Sequence, residues 1–470
     1  MAPVPCKYYL SGRSLMKPVV CGIILGIHLL AGGAGAAAVE ANGMYNVRDY
    51  GSIGDGATDN TAAFQKALDD AAAARGGMVD VPAGRYRFDG TISIPDNVTL
   101  RGTFTYAPAH AGIRDGAAQQ RPEFGSVLEP HAGAGSEEGA PFITINANAT
   151  LQGFTIHYPD QDPKGPAPIP YPWTIVMRGN NPAAIDLQLL NPYRAIDASL
   201  NQRALVRNIH GQPIAMGIFV DVIWDIGRIE NVHWNPWWSI NTPIYQWQRE
   251  HGVGFYFAKS DWHYVLNTFC FGYNVGYQFA ASEHGATNGN FLGIGADACH
   301  TSVLIEESSP MALLITNGEF VAFDGDDPTM VRVAPGHTGT VRFSNCAFWG
   351  PARRNAFIEG VGAVGFSDCT FMQWDNMRTG LPSIEAIGGT VSIRGCEFME
   401  NKQQVVLGKH VERAIVSENL FTGKKRIDND SKGAVLIKDN VGTPTGKKWD
   451  KFYKTAPGFR ADQVRKGMKE

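Results

Sequence analysis

Val341-Arg342-Phe343-Ser344-Asn345-Cys346-Ala347-Phe348 decides the fold, because the line recurs as Val364-Gly365-Phe366-Ser367-Asp368-Cys369-Thr370-Phe371 and as Val391-Ser392-Ile393-Arg394-Gly395-Cys396-Glu397-Phe398. Weaker copies lie at 415–421, 314–320, 228–234 and 204–210. With the residue aligned to Asn345 as a marker, the steps are 23 from Asn208 to Asn231, 28 from Asn317 to Asn345, then 23, 27 and 23 to Glu418. A period this short is one turn of a solenoid, too small for a domain. Each copy has two apolar positions, a polar or Gly bend, a Cys or apolar residue, one outward position and an aromatic. That alternation belongs to short strands, and with no helical stripe between copies it predicts a parallel β-helix. Residues one coil apart in the text then stand about 4.8 Å apart in columns. Cys346, Cys369 and Cys396 are expected inward in one column. His210, His233, Glu319, Ala347, Thr370 and Glu397 are expected in the next, with His210 and His233 as neighbours on an exposed sheet face.

A solenoid grows by addition, so 470 residues are read as one long domain with short appendages. The net charge of -4 gives no reason to expect nucleic acid, and 54 glycines suit a chain that turns at every coil. Lys7, Arg13 and Lys17 precede an apolar run from Val19 to Ala31, followed by small residues at Ala36-Ala37-Ala38. This reads as a signal peptide over 1–38, with Met1 or Met16 as the start, and predicts a secreted or periplasmic protein. The run is too short to span a bilayer. Five cysteines follow it, an odd number with no CxxC pair, which argues against a disulfide framework or a cysteine metal site. The β-helix is expected over 44–442 and a basic tail over 443–470. From Lys447 onward that tail carries eight Lys or Arg against three acids and reads as a solvated end.

After the leader, Asp49-Tyr50-Gly51 and Gly54-Asp55-Gly56 form a Gly/Asp turn, and Asp59 or Thr58 can cap a helix whose Phe64, Ala67, Leu68 and Ala71 make one apolar stripe ended by Gly76-Gly77. With Asp59-Asn60-Thr61 and Val81-Pro82-Ala83-Gly84-Arg85-Tyr86, this opening of about sixty residues resembles the pectate-lyase-like superfamily that includes rhamnogalacturonase and epimerase-like domains. The resemblance implies an all-β, right-handed, single-stranded parallel β-helix with a short N-terminal capping helix. It implies chemistry only weakly, since hydrolases, lyases, epimerases and phage spikes share that opening. Thr105 to Ala140 reads as long loops, and Tyr158 to Trp173, rich in proline, as an extended loop walling a cleft. Strands are expected to resume at Ile185.

Six of the ten tryptophans fall between Trp224 and Trp262, interleaved with acids and histidines. Flat aromatic faces suit sugar rings. Trp224 and Trp234 occupy inward-type positions and are expected in the core, whereas Trp237-Trp238, in a turn after Pro236, are expected to line a cleft. Glycoside hydrolysis needs one carboxylic acid and a second carboxylate about 5 to 9.5 Å apart. Asp225 and Glu230 beside His233 are the first candidates, with Glu283 and His284 as partners and Asp326 as a third locus. Asp326-Asp327 is similar to the paired aspartates of polygalacturonases, but Gly336-His337-Thr338 follows only ten residues later and the pair precedes Pro328. No cofactor is expected; calcium is a minor option at 323–328, which lacks alternating oxygen ligands. For a lyase, His210 or His233 would be the base, with Arg207 or Arg228 neutralising a uronate carboxylate. The sequence therefore predicts an exported polysaccharide-active enzyme, a glycoside hydrolase before a lyase. The competing class is a non-catalytic carbohydrate-binding or spike-like protein. A homotrimer is open, with nothing calling for it.

Overall fold

The computed structural model describes residues 43–105, 122–323 and 325–443. The expected leader and nearly all of the basic tail lie outside them. The described chain is a parallel β-helix in which each complete coil contributes three strands. Series A runs Trp173–Met177, Arg194–Asp197, Met216–Val220, Val253–Phe257, Val275–Phe279, Thr301–Ile305, Thr329–Val333 and Arg354–Ile358, each hydrogen-bonded in parallel to the next. Series B and C are the two halves of the repeated line, before and after its bend. Arg228–Trp234 shows this directly: its first half pairs with His263–Leu266 and its second with Phe269–Phe271.

The bend is the marker residue of the repeat. Asp186, Asn208, Asn231, Asn267, Asn317, Asn345, Asp368, Glu418 and Asp439 all hold φ between +51° and +61°, and Gly153, Gly293 and Gly395 occupy the same place in their coils. Asn and Asp tolerate this left-handed conformation because a short polar side chain can bond locally. Here the bonds run between coils. The side-chain amide of Asn345 donates to Asn317 Oδ1 (2.8 Å), Asn231 to Asn208 (3.2 Å) and Asn208 to Asp186 (3.0 Å).

Inside the bend, Cys346, Cys369 and Cys396 stack in one buried column, and the residues after them, Ala347, Thr370 and Glu397, pair in register. All five described cysteines are buried and free. Two residues further on, Phe320, Phe348, Phe371, Phe398 and Phe421 form a ladder with ring centroids 5.4, 5.0, 4.9 and 4.9 Å apart. Burying a Phe stabilises by about 1.5–3 kcal/mol, and a ring pair adds about 0.5–1.5.

The opening end is closed by helix α1 (Thr61–Ala73), whose Phe64, Ala67, Leu68 and Ala71 are fully buried. Phe64 meets Tyr86 and Phe88 edge-on at 5.3 and 4.9 Å. Asp59 Oδ1 accepts from Thr61 N at 3.0 Å, and Asp55 accepts from Ala57 N and Thr58 N at 2.8 Å, so both carboxylates fix the turn into the helix. Strands Ser126–Pro130, Ile143–Ile145, Thr150–His157 and Trp173–Met177 correct the expectation that regular structure resumes only at Ile185. Residues 158–172 are strand-free, as their prolines predict. Helix α2 (Pro243–His251) interrupts the solenoid between series C and series A. Among the described residues no helix is long and apolar enough to cross a membrane.

Candidate functional site

The expected site residues do not share a wall. Asp225 lies in the turn between series A and B, its carboxylate bonded to Arg203 Nη1 at 2.6 Å. Glu230 projects from series B opposite Arg207, and Arg228, two residues earlier, is exposed between Leu205 and Tyr264. Glu283 and His284 sit at the tip of a hairpin between Ala281–Ser282 and Gly285–Ala286, with the Glu283 side chain 87% exposed. Asp326 is exposed in its loop, while Asp327 is ringed by Arg332 (3.5 Å), Arg353 (3.5 Å) and Arg354 (3.2 Å).

His210 and His233 do stand one above the other in series C, as their spacing predicts. The face is covered, however: His210 is 3% exposed and its ring lies 6.0 Å from Phe104. His233 is half-buried, and burial lowers its pKa, leaving a neutral imidazole. Trp237 lines a cavity of about 430 Å³ over this face, with Thr155, Gln188 and Phe104. Trp238 instead is buried against Ile214 and Ile244, because the turn that carries it folds back under α2. Gln212 Oε1 fixes that turn by accepting from both indole-bearing residues' amides, at 2.6 Å from Trp237 N and 2.9 Å from Trp238 N. Trp234 is fully buried, but Trp224, expected inside, is 53% exposed: it lies past the strand end, where alternation no longer dictates direction.

Series A carries what the sequence reading missed. Asp197, Phe219, Tyr256, Gln278, Leu304, Arg332, Phe357 and Glu385 are successive register partners down one column on its outer side. Trp173, Phe219 and Tyr256 form an aromatic strip along the solenoid axis, with Trp173 to Phe219 at 6.1 Å and Phe219 to Tyr256 at 5.3 Å. The Arg194 guanidinium lies 5.1 Å from the Trp173 ring. All four side chains are half-buried, open enough to meet a ligand and packed enough to hold their rotamers.

Charge gathers around the lower end of the strip. Asp221 accepts three hydrogen bonds of 2.9 Å, from Val222 N, Lys259 N and Ser282 Oγ. Glu306 accepts from Gln278 Nε2 at 3.2 Å. Neither carboxylate has a cationic partner among the described residues. Burial first, then the charges of Glu306 and Asp221, push the Tyr256 phenol above its ordinary pKa. Asp197, by contrast, is neutralised by Arg178 at 2.6 Å. On the rim the Lys259 ammonium lies 4.8 Å from the Trp224 ring and 2.6 Å from Asp261, and Trp262 is 65% exposed. The signal for this face was available in the text. Ile218-Phe219-Val220, Phe255-Tyr256-Phe257 and Tyr277-Gln278-Phe279 are apolar runs with an outward residue in the middle, but they lack the Asn and Cys that make the other repeat conspicuous.

Comparison with known proteins fits this architecture. Residues 44–121 match the family model described as rhamnogalacturonase A/epimerase, pectate lyase-like. Two Azotobacter vinelandii proteins match parts of the chain. Mannuronan C5-epimerase AlgE3 is 49% identical over 65 residues, 12% of this chain and 4% of that protein. Mannuronan C5-epimerase AlgE6 is 37% identical over 111 residues, 22% of this chain and 12% of that protein. The chain thus spans a small part of the relatives it matches. Among solved structures, the bacteriophage Phi29 gene product 12 N-terminal fragment superposes with a TM-score of 0.59 at 15% identity, covering 85% of this chain and 71% of that one. The likeness at this identity is one of fold. The opening of the chain, a helix-capped turn, is thus similar to the pectate-lyase-like family, and it leads into a column-built parallel β-helix.

Proposed function

We propose that the protein is a polysaccharide-active enzyme whose glycan chain lies along series A, over Trp173, Phe219 and Tyr256. The observation that carries this reading is the aromatic strip, in which Phe219 and Tyr256 are register partners and the Trp173 ring lies against Phe219, running into two carboxylates without cationic partners among the described residues. Aromatic faces take the C–H faces of sugar rings, and the strip repeats along the axis on which the glycan would extend. The mannuronan C5-epimerases that match the opening of the chain support a glycan as the ligand.

Hydrolysis is the reaction that the paired acids favour. One carboxyl protonates the leaving oxygen and the other activates water, Asp221 and Glu306 supplying the two and Tyr256 orienting the sugar between them. Asp221, held in place by three donors, is assigned to the water, and Glu306 to the leaving oxygen. A second reading, proton abstraction beside a uronate carboxylate with Tyr256 as the proton-carrying group, is favoured by the similarity of the opening to mannuronan C5-epimerases.

Incubation with neutral and acidic polysaccharides separates these readings. New reducing ends indicate hydrolysis, absorbance from unsaturated uronates indicates elimination, and altered epimer ratios by NMR indicate inversion at C5. Loss of whichever signal appears in Asp221→Asn and Glu306→Gln, with unchanged melting, supports the site. Full activity in both variants, or no signal with any polymer, sinks it.

A further inference from the structure

Charge pairing along series A bears on the kind of glycan the cleft can take, given that the cleft is the glycan site proposed above. From Trp173 to Gly362 the series A strands and the turns that follow them carry six lysines and arginines. Each has a carboxylate against it: Arg178 with Asp197 (2.6 Å), Arg194 with Glu137 (3.6 Å), Arg203 with Asp225 (2.6 Å), Lys259 with Asp261 (2.6 Å), Arg332 with Asp327 (3.5 Å) and Arg354 with Glu385 (2.7 Å). The acids are not matched in the same way. Asp221 and Glu306 have only neutral donors among the described residues, and Glu307 accepts from the amides of Ser308, Thr338 and Gly339. The loops that enter series A at 131–142, 158–172 and 235–252 add five acids against Lys164 and Arg249.

The outer column itself is uncharged where the aromatic strip lies. Phe219, Tyr256, Gln278 and Leu304 are register partners over four successive coils, and Met216, Val253, Val275 and Thr301, where the same strands begin, carry no charge either. Three coil rises make this stretch about 14 Å long, enough for a short run of sugar units. A polyuronate places a carboxylate on every unit. Laid here, those carboxylates would lose water against aromatic and aliphatic side chains, with no unpaired lysine or arginine on the strands and turns beneath them and with Asp221 and Glu306 repelling them. A bridging cation has no seat either: among the described residues no group of three or more His, Cys, Asp or Glu side chains is placed to hold a metal ion. A polycation would meet acids at Asp221 and Glu306 alone, past the strand ends, and none on the successive coils of the strip. Hydroxyls and C–H faces match what is present, since the Gln278 amide, the Tyr256 phenol and the two carboxylates offer hydrogen bonds beside aromatic rings.

We infer that the cleft takes an uncharged glycan and excludes polyuronates. Proton abstraction beside a uronate carboxylate then has no substrate there, and hydrolysis does.

The full chain and Phe219→Ala are run in native gels cast with neutral polymers (β-glucan, mannan or xylan), with polygalacturonate or polymannuronate in the presence and absence of calcium, or with chitosan. Retardation by at least one neutral polymer, insensitive to salt and weakened about tenfold or more in Phe219→Ala, with none by either polyuronate, is the expected result. Phe219 is half-buried, so melting of the variant is measured alongside, and the comparison of polymers on the wild-type chain stands whether or not the variant folds. A polyuronate that retards the chain as strongly as any neutral polymer, and loses its hold in Phe219→Ala, overturns the inference and leaves the cleft reading in place. So does capture by a polyuronate that requires calcium, or chitosan held more tightly than every neutral polymer. Neutral binding untouched by Phe219→Ala, or binding of no polymer at all, removes the cleft reading and the inference with it.

Discussion

The rings of Phe219 and Tyr256, on successive coils of series A, lie 5.3 Å apart with their planes inclined at 30°. Tyr256 is also the residue on which the Asp221 and Glu306 charges converge. Tyr256→Phe keeps the stacking surface and removes the phenol. Its kcat should fall by about 100-fold or more with KM little changed if the hydroxyl takes part in proton transfer or orientation. Phe219→Ala should instead raise KM with kcat largely kept. Steady-state kinetics on the preferred polymer checks both, and an unaltered Tyr256→Phe enzyme would leave the phenol without a chemical role.

Asn345 combines a φ of +51° with a hydrogen bond from its side-chain amide to Asn317 Oδ1. Asn345→Ala loses the bond and strains the backbone, which should lower stability by about 1–3 kcal/mol. Asn345→Gly keeps the bend and loses only the bond, so it should fall between wild type and Ala in urea melts. The reverse order would mean that the left-handed geometry is incidental.

In the Phe ladder, Phe371→Ala removes a ring that stacks on Phe348 and Phe398. The expected loss is about 3–5 kcal/mol, the range for a large core aromatic. Phe371→Leu should recover much of it. A loss below about 1 kcal/mol by chemical denaturation would show that neighbouring coils close the gap.

Asp297 is held with its pKa raised to about 6 by burial, from 3.8. Between those values the folded chain binds more protons than the unfolded one, so this group's contribution falls as pH rises through the window. Above it, the penalty reaches up to about 3 kcal/mol. Asp297→Asn should therefore melt higher than wild type near pH 8 and at about the same temperature near pH 4. A gain that is equal at both pH values would trace to something other than the charge.

The periodic half of the fold was legible because its chemistry is distinctive. A left-handed bend selects Asn, Asp or Gly, and the inward corner beside it accepts Cys, so Asn208, Asn231, Asn317 and Asn345 advertise their coils. Series A leaves no such mark. A strand with an apolar interior and an aromatic exterior, as at Phe219 and Tyr256, reads as a continuous apolar run, and the sequence does not separate its two sides. Asp225 and Glu230 drew attention by proximity in the text. Their strand and turn environments pointed them to Arg203 and to the Arg207 column, contacts that depend on the coil below and not on local sequence. His210 was placed correctly by register and wrongly by exposure, because Phe104 comes from more than a hundred residues away.

The asparagine bends also set where this molecule can change. Each coil is fastened to its neighbours by main-chain ladders, by its bend and by an interior ring, none of which involves the loops that leave series A at 221–227, 258–262 and 280–288. Lengthening or trading those excursions, or swapping Trp224 and Trp262 on their tips, would redraw what the surface recognises while the scaffold beneath stays in register. The architecture therefore separates inheritance of shape from inheritance of taste, and relatives sharing only the opening helix and turn could have diverged in ligand without renegotiating how they fold.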